Sequence, residues 1–437
     1  MKDALILLLL VGVSLWALRE PWIGVMAWTL VSLGSPHVEF GHAAAYWPVA
    51  SGIAICTLLG LLVTKDKVNP MYGAAPWWLL GLAVWICITL PASLYFDASY
   101  RLWERTVKTF LFIFVTLAVV TDERKLKVFI WINVVAIAFY GVKGGVFTIL
   151  SGGNYRVWGP GGFIEGNNEV GLAVITVVPL MRYLHLQMTD SRAKLVMAAA
   201  MGLCVATVLG THSRGALLGV AAMGLVLWQR GQNKILWGVV LVFMAMAALS
   251  LMPEHWWSRM NTIKTYEADG SAMGRINAWW MAFNLAKQNI FGGGFMIYNA
   301  EVFARYAPVP DDVHAAHSIY FQILGEHGFI GFFLWLAIGV STWWTAQGLI
   351  KDGRRHPQIK WAADLGAMVQ VSMVGYAVTG AFLSLTYYDL PYNVMVMAAV
   401  GRRLASRRMA ALQAHAAPVA AGRPPAPAPR PQVRHGH

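Results

Sequence analysis

The feature that most limits what this chain can fold into is its succession of apolar stretches. They fall at about 3–18, 21–36, 47–64, 77–96, 106–121, 128–150, 169–187, 194–211, 215–229, 234–252, 318–349, 362–388 and 391–401. As helices, many of these are long enough to cross a hydrocarbon core about 30 Å thick. Hydrophobic residues make up 57% and charged residues 13% of the chain, against about a quarter charged in an ordinary soluble domain, which excludes that class. The expected architecture is all-α, a polytopic membrane protein of about 12 transmembrane helices. Arg19, Glu20 and Pro21 interrupt the first 36 residues, so the count is twelve if these cross once and thirteen if twice. The leading stretch lacks a small-residue cleavage site and runs at once into another apolar run, so it is expected to be retained.

Loop charge sets the sidedness. Lys65 and Lys67, Arg124, Lys125 and Lys127, then Arg182, Arg192 and Lys194 recur on every second loop. Arg230 with Lys234, then Lys351, Arg354, Arg355 and Lys360, and a cluster from Arg402 to Arg408 continue the alternation. These loops are expected in the cytoplasm, as is the C-terminus. Seven arginines and no acid lie from residue 402 onward, so much of the net charge of +13 sits there and gives no reason to invoke nucleic acid. Four segments follow: 1–252, the N-terminal transmembrane helices; 253–317, a large loop; 318–411, the C-terminal transmembrane helices; and 412–437, a basic Ala/Pro-rich tail expected to be disordered. Cys56, Cys87 and Cys204 lie inside apolar spans and form no disulfide or zinc pattern.

On the opposite face, positive charge runs against the orientation bias. Arg101 and Arg105 lie in one such loop, Arg156 in the Gly- and Asn-rich loop 151–168, Arg214 in the tight turn Thr211-His212-Ser213-Arg214-Gly215, and Arg259, Lys264, Arg275, Lys287 and Arg305 in the large loop. Any one of them can be paired with an acid or snorkel to the surface. As a group they fit an anionic ligand, and phosphate matches the guanidinium fork. Asn167 and Asn168 stand where the next helix begins, as amide donors or as an N-cap. Lys143 sits inside a span, which a transporter would explain. Within the large loop, 271–289 reads as an amphipathic helix. Met273, Ile276, Trp280 and Phe283 lie at helical spacing, Trp279 and Trp280 serve as interface anchors, and Gly292 to Gly294 end it.

The loop closes on Asp311-Asp312-Val313-His314-Ala315-Ala316-His317-Ser318 and passes into Ile319-Tyr320-Phe321-Gln322-Ile323-Leu324-Gly325-Glu326-His327-Gly328-Phe329-Ile330-Gly331. If this stretch is helical, His314 and His317 share a face. His-Ser followed by apolar residues and Glu-x-Gly-x-x-Gly, after one large late loop, resembles the O-antigen ligase and O-antigen polymerase superfamily, most closely its ligase branch and the related O-glycosylation ligases. The resemblance covers about 150–350 well and the N-terminal third through topology only. It implies a GT-C-like glycosyltransferase of the bacterial inner membrane, with its active site facing the periplasm on the loop 253–317. The donor would be a glycan on undecaprenyl pyrophosphate, the acceptor a lipid A-core sugar hydroxyl, with membrane lipids as surroundings and neither metal nor cofactor.

Position by position, the resemblance makes Arg214 and Arg275 the pyrophosphate ligands and His317 the general base. Arg156 is a third contact, and His314 is an additional histidine, so which imidazole takes the proton stays open. Glu326, or Asp311 with Asp312, would orient the base, and Asn168 would support the site. His327, at the variable position of Glu-x-Gly, is left out of the chemistry. An imidazole with its ordinary pKa near 6.5 suits deprotonation of a hydroxyl. The alternatives are an O-antigen polymerase, a protein O-oligosaccharyltransferase, a metal-dependent transferase built on Asp311-Asp312, and, from another class, a lipid-linked glycan transporter.

Overall fold

The computed structural model describes residues 2–41, 47–230 and 270–421, with scattered positions between 234 and 257. Among them the regular elements are helices. An isolated bridge joins Gly161 and Ile164. The N-terminal half comprises α1 (Lys2–Ala17), α2 (Pro21–Gly34), the short α3 (Pro36–Phe40), α4 (Val49–Val63), α5 (Ala75–Thr89), α6 (Phe96–Val119), α7 (Glu123–Leu150), α8 (Asn167–Gln187), α9 (Ser191–Gly210) and α10 (Arg214–Arg230). After the large loop's α11 (Gly270–Gln288) and α12 (Ala300–Tyr306) come α13 (Ile319–Arg355), α14 (Lys360–Gly380) and α15 (Asp389–Ala421). Most of the expected span at 234–252, the loop segment 258–269 and the tail from 422 lie outside the described residues.

By length and composition, α7, α8, α9 and α13 are four described helices able to cross a membrane, and α1, α2, α4 and α5 supply shorter apolar ones. Arg19-Glu20-Pro21 does break the opening segment, leaving α1 and α2 as separate helices. Pro21 takes the first helical position of α2, where its missing N–H costs nothing. Asp122 and Asp190 cap α7 and α9 by accepting from the backbone N–H of Lys125 at 2.9 Å and Ala193 at 2.7 Å.

Close helix packing rests on small residues, since lipid supplies no hydrophobic drive between helices. A Cβ on Gly145 would stand 2.1 Å from the Leu203 carbonyl oxygen, and one on Gly141 would strike Cys204 Sγ at 2.5 Å. Gly366 does the same for α14 against the carbonyl of Ala346 on α13, at 2.5 Å.

Contacts between connectors sort them onto two ends of the bundle. At one end, Gln187 donates to Asp364, Arg402 pairs with Asp352, and Lys125 holds Asp66. That ammonium keeps the Asp66 carboxyl below its ordinary range. These are the loops that the Lys and Arg pattern groups together. At the other end, Leu94 N–H donates to the Gly293 carbonyl, Asn167 Nδ2 to the Thr211 carbonyl, and Thr386 Oγ1 to the Ile319 carbonyl.

Two expectations change. α15 continues to Ala421, past the point at 412 where order was expected to end, because 409–417 is rich in Ala, Leu, Met and Gln, all good helix formers. Lys143, which a transporter would leave facing a pathway, is paired at 2.5 Å with Glu39. α11 buries Ala278, Met281 and Leu285 against Ile297, Val302 and Phe303, a small core separate from that of the bundle. Met273 and Trp280, 40% and 51% exposed, lie outside that core. A stripe at helical spacing shows that a face is apolar, not which neighbour covers it.

Candidate functional site

Residues 313–318 are not helical. α13 starts at Ile319, and Ser318 is its N-cap residue without a side-chain cap bond. His314 and His317 therefore share no helical face, and the expectation of a stacked pair fails. Backbone carbonyls in this strand-like approach are taken by α11 instead. Asn277 Nδ2 donates to the carbonyls of Val309 and Asp312 at 2.8 and 2.9 Å, and Trp279 Nε1 donates to that of Ala316 at 2.7 Å. The Trp279 indole also stacks on Phe321, centroids 5.0 Å apart and planes 6° from parallel. So Trp279, expected at the lipid interface, clamps the segment that carries both histidines.

The clamp holds His317 at φ +40°, a conformation that few non-glycine residues adopt and that costs of the order of 1–3 kcal/mol. Its ring is half-buried, and its pKa lies below 6.5, first because burial disfavours the cation and then because the charges of Arg275 and His314 oppose it. Burial and those charges therefore favour the neutral, proton-accepting imidazole. His314 lies against Gly274, where a Cβ would stand 2.4 Å from Nδ1, and that nitrogen is 2.9 Å from Asp312 Oδ1. Asp312 accordingly pairs with His314 and not with His317, while Asp311 is exposed.

Arg214 heads α10, directly after a turn whose Thr211, His212 and Ser213 are all buried. Ser213 Oγ accepts the Ala216 N–H at 3.2 Å, an N-cap bond that fixes where the helix and its first side chain begin. Gly215 packs on Phe382, and Gly380 on Ile319, so the short 380–382 segment links the arginine's turn to the start of α13. The loop 151–166 closes over the same turn. Val157 N–H donates to the Gly210 carbonyl at 3.0 Å, and His212 Nε2 meets that of Gly153 at 2.9 Å. Arg156 is exposed on this loop. The charge of Arg275 acts on His317, the turn of Arg214 joins the same end through Phe382 and Ile319, and Arg156 lies on the loop that closes over that turn.

Glu326 does not orient His317. It is 3% exposed and accepts from Tyr387 Oη at 2.6 Å, with Gln322 Nε2 at 3.5 Å. A buried carboxylate satisfied by its own neighbours is a structural joint. The rest of Glu-x-Gly-x-x-Gly works the same way. Gly293 and Gly294 N–H donate to the carbonyls of Gly325 and Glu326 at 2.9 and 2.8 Å, and Gly328, at φ +68° and ψ −173°, kinks α13 there. His327 is buried, with Nδ1 2.8 Å from Thr89 Oγ1. The motif therefore fastens the large loop to α5 and α13. Nor does Asn168 hold the loop; the bond at this position is made by Asn167, to the Thr211 carbonyl at 2.7 Å, and Gly166 occupies the N-cap.

Sequence reasoning passed over Asp389 and gave Arg105 no part beyond its place among the outer-face cations. Asp389 is buried at the start of α15, taking hydroxyls from Ser32 on α2 and from Thr109 on α6, the latter at 3.1 Å. Arg105 lies 3.5 Å over the Phe163 ring, which leans on Tyr388 at 5.6 Å. The available signal was Asp389 itself, the sole acid after Asp364, set between two apolar stretches. Among the described residues no group of three or more His, Cys, Asp or Glu side chains converges as a metal cage would require.

Residues 199–336 match the family described as O-antigen ligase. Residues 1–189 match a family of unknown function. No curated protein matches the chain.

Proposed function

We propose, from the membership of this chain in the O-antigen ligase and polymerase superfamily, that it is an O-antigen ligase. It transfers a glycan from undecaprenyl pyrophosphate to a sugar hydroxyl of the lipid A core. The reaction takes place at the periplasmic face of a bacterial inner membrane that the chain crosses about twelve times. The single observation that carries this reading is His317, held at positive φ by the Trp279 and Asn277 clamp, with Arg275 beside it.

The chemistry follows from those groups. The acceptor hydroxyl gives its proton to the neutral imidazole of His317 while its oxygen attacks the anomeric carbon. The bond from that carbon to the pyrophosphate oxygen breaks on the opposite side, so the anomeric configuration inverts. The diphosphate leaves as an anion, which Arg214 and Arg275 neutralise with Arg156 as a third contact. Fixed guanidinium groups stabilise such a leaving group without a general acid. His314, 2.9 Å from Asp312, opposes protonation of the base.

The test supplies a purified, detergent-solubilised chain with glycan-loaded undecaprenyl pyrophosphate and offers lipid A core, free glycan and hydroxyl-bearing peptide separately, with and without a chelator. Transfer to lipid A core alone, unchanged by the chelator, is the expected result. Transfer to glycan would make it a polymerase and transfer to peptide a protein O-oligosaccharyltransferase. Chelator-sensitive transfer would overturn the metal-independent mechanism.

A further inference from the structure

At the end of the bundle away from His317, the last helix carries a second cationic site. Arg403 is 3% exposed, and its two terminal nitrogens donate to the carbonyls of Leu117 at 2.9 Å and Val120 at 2.6 Å, which the end of α6 leaves without helical partners. Its Nε is buried and has no partner among the described residues. Arg403 lines a cleft of about 380 Å³ together with Asn69, Tyr72, Ser406 and Arg407. No acid lines the cleft.

Tyr72 also borders a second, larger crevice of about 840 Å³. Its walls are Trp78 of α5 and Phe333, Leu336, Val340 and Trp344 of α13, with Arg402 where it opens toward the polar end. Phe333 and Trp344 are exposed apolar side chains on a helix long enough to cross a membrane, so this crevice faces lipid. A polar pocket with two guanidinium groups thus continues, past one tyrosine, into an aromatic-walled apolar channel. That is the shape and polarity of a phosphate headgroup with an acyl chain attached. Basic pockets between transmembrane helices are suited to anionic headgroups. A zwitterionic lipid would bring its own cation against Arg407, while Arg402 is already paired with Asp352.

The geometry points to a binding site for one anionic glycerophospholipid, distinct from the transfer site. Its phosphate would lie between Arg407 and Arg403, and an acyl chain would run along Trp78 and Trp344. The lipid would brace α15 against α5, α6 and α13 from the leaflet opposite the reaction.

The full-length protein in mild detergent, titrated with phosphatidylglycerol, phosphatidylcholine or inorganic phosphate and read by native mass spectrometry, tests this. The site predicts retention of one phosphatidylglycerol, with phosphatidylcholine about tenfold weaker and no retention of free phosphate, since each basic residue at the headgroup contributes about 1 kcal/mol. Arg407→Gln, on an exposed residue, should weaken phosphatidylglycerol about fivefold by the same argument, and Ala337→Phe, in the crevice wall, should block it. Equal retention of the two lipids, binding of free phosphate, or unchanged binding in either variant whose thermal unfolding matches the parent would overturn the proposal.

Discussion

Replacing Gly328 by Ala tests whether Glu-x-Gly-x-x-Gly is a mechanical joint. The backbone there, φ +68° and ψ −173°, lies in a region open essentially to glycine alone, so any side chain costs about 1–3 kcal/mol before it touches anything. It would also touch something that cannot yield. The new Cβ would stand 2.3 Å from the Ile290 carbonyl oxygen and 3.2 Å from the Gly292 nitrogen, both backbone atoms. Relief requires the 290–294 turn to withdraw, breaking the bonds from Gly293 and Gly294 to the Gly325 and Glu326 carbonyls at about 1 kcal/mol each. The combined loss is about 3–5 kcal/mol. Gly339, on the same helix with nothing within 4 Å of its would-be Cβ, is the control, and Gly339→Ala should be neutral or slightly stabilising. Fluorescence-detected unfolding of both variants in detergent measures the difference, and hydrogen exchange over 289–299 should rise in Gly328→Ala alone. A Gly328→Ala protein as stable as Gly339→Ala, with the turn still protected, would refute this account of the motif.

His317→Ala should lower glycan transfer by about a hundred- to ten-thousand-fold, the usual worth of a general base, and His314→Ala much less; equal losses would move the base to the pair. Because burial and Arg275 hold the His317 pKa below 6.5, the imidazole stays neutral as pH falls through 6.5 and is lost as base only beneath its lowered value. The acid limb of kcat/KM should therefore lie below 6.5, and a limb above it would contradict the depressed value. Arg214→Lys and Arg275→Lys keep the charge but lose the planar fork, and each should cost about 1.5–3 kcal/mol in transition-state stabilisation, read from kcat/KM for the lipid-linked donor. Tyr387→Phe removes the 2.6 Å bond to buried Glu326 and should destabilise the fold by about 1–3 kcal/mol, seen in the same unfolding assay.

Apolar stretches and the alternation of Lys and Arg were enough to establish an all-helical membrane protein and to sort its connectors into two groups, because both signals are local in the chain. The same is true of the arginine after the tight turn and the histidine before α13, since residue type and position next to a helix start are written in the sequence. What Glu326 does was not legible: a carboxylate nine residues after His317 reads as its partner until packing turns it toward Tyr387, 61 positions away. Trp279 and Trp280 are adjacent and alike in sequence, yet one clamps Ala316 and the other faces outward, a difference fixed by which side of α11 meets residues 297–303. Periodicity determines that a helix has faces, and only the tertiary structure decides what each face meets, because that depends on residues far away in the chain.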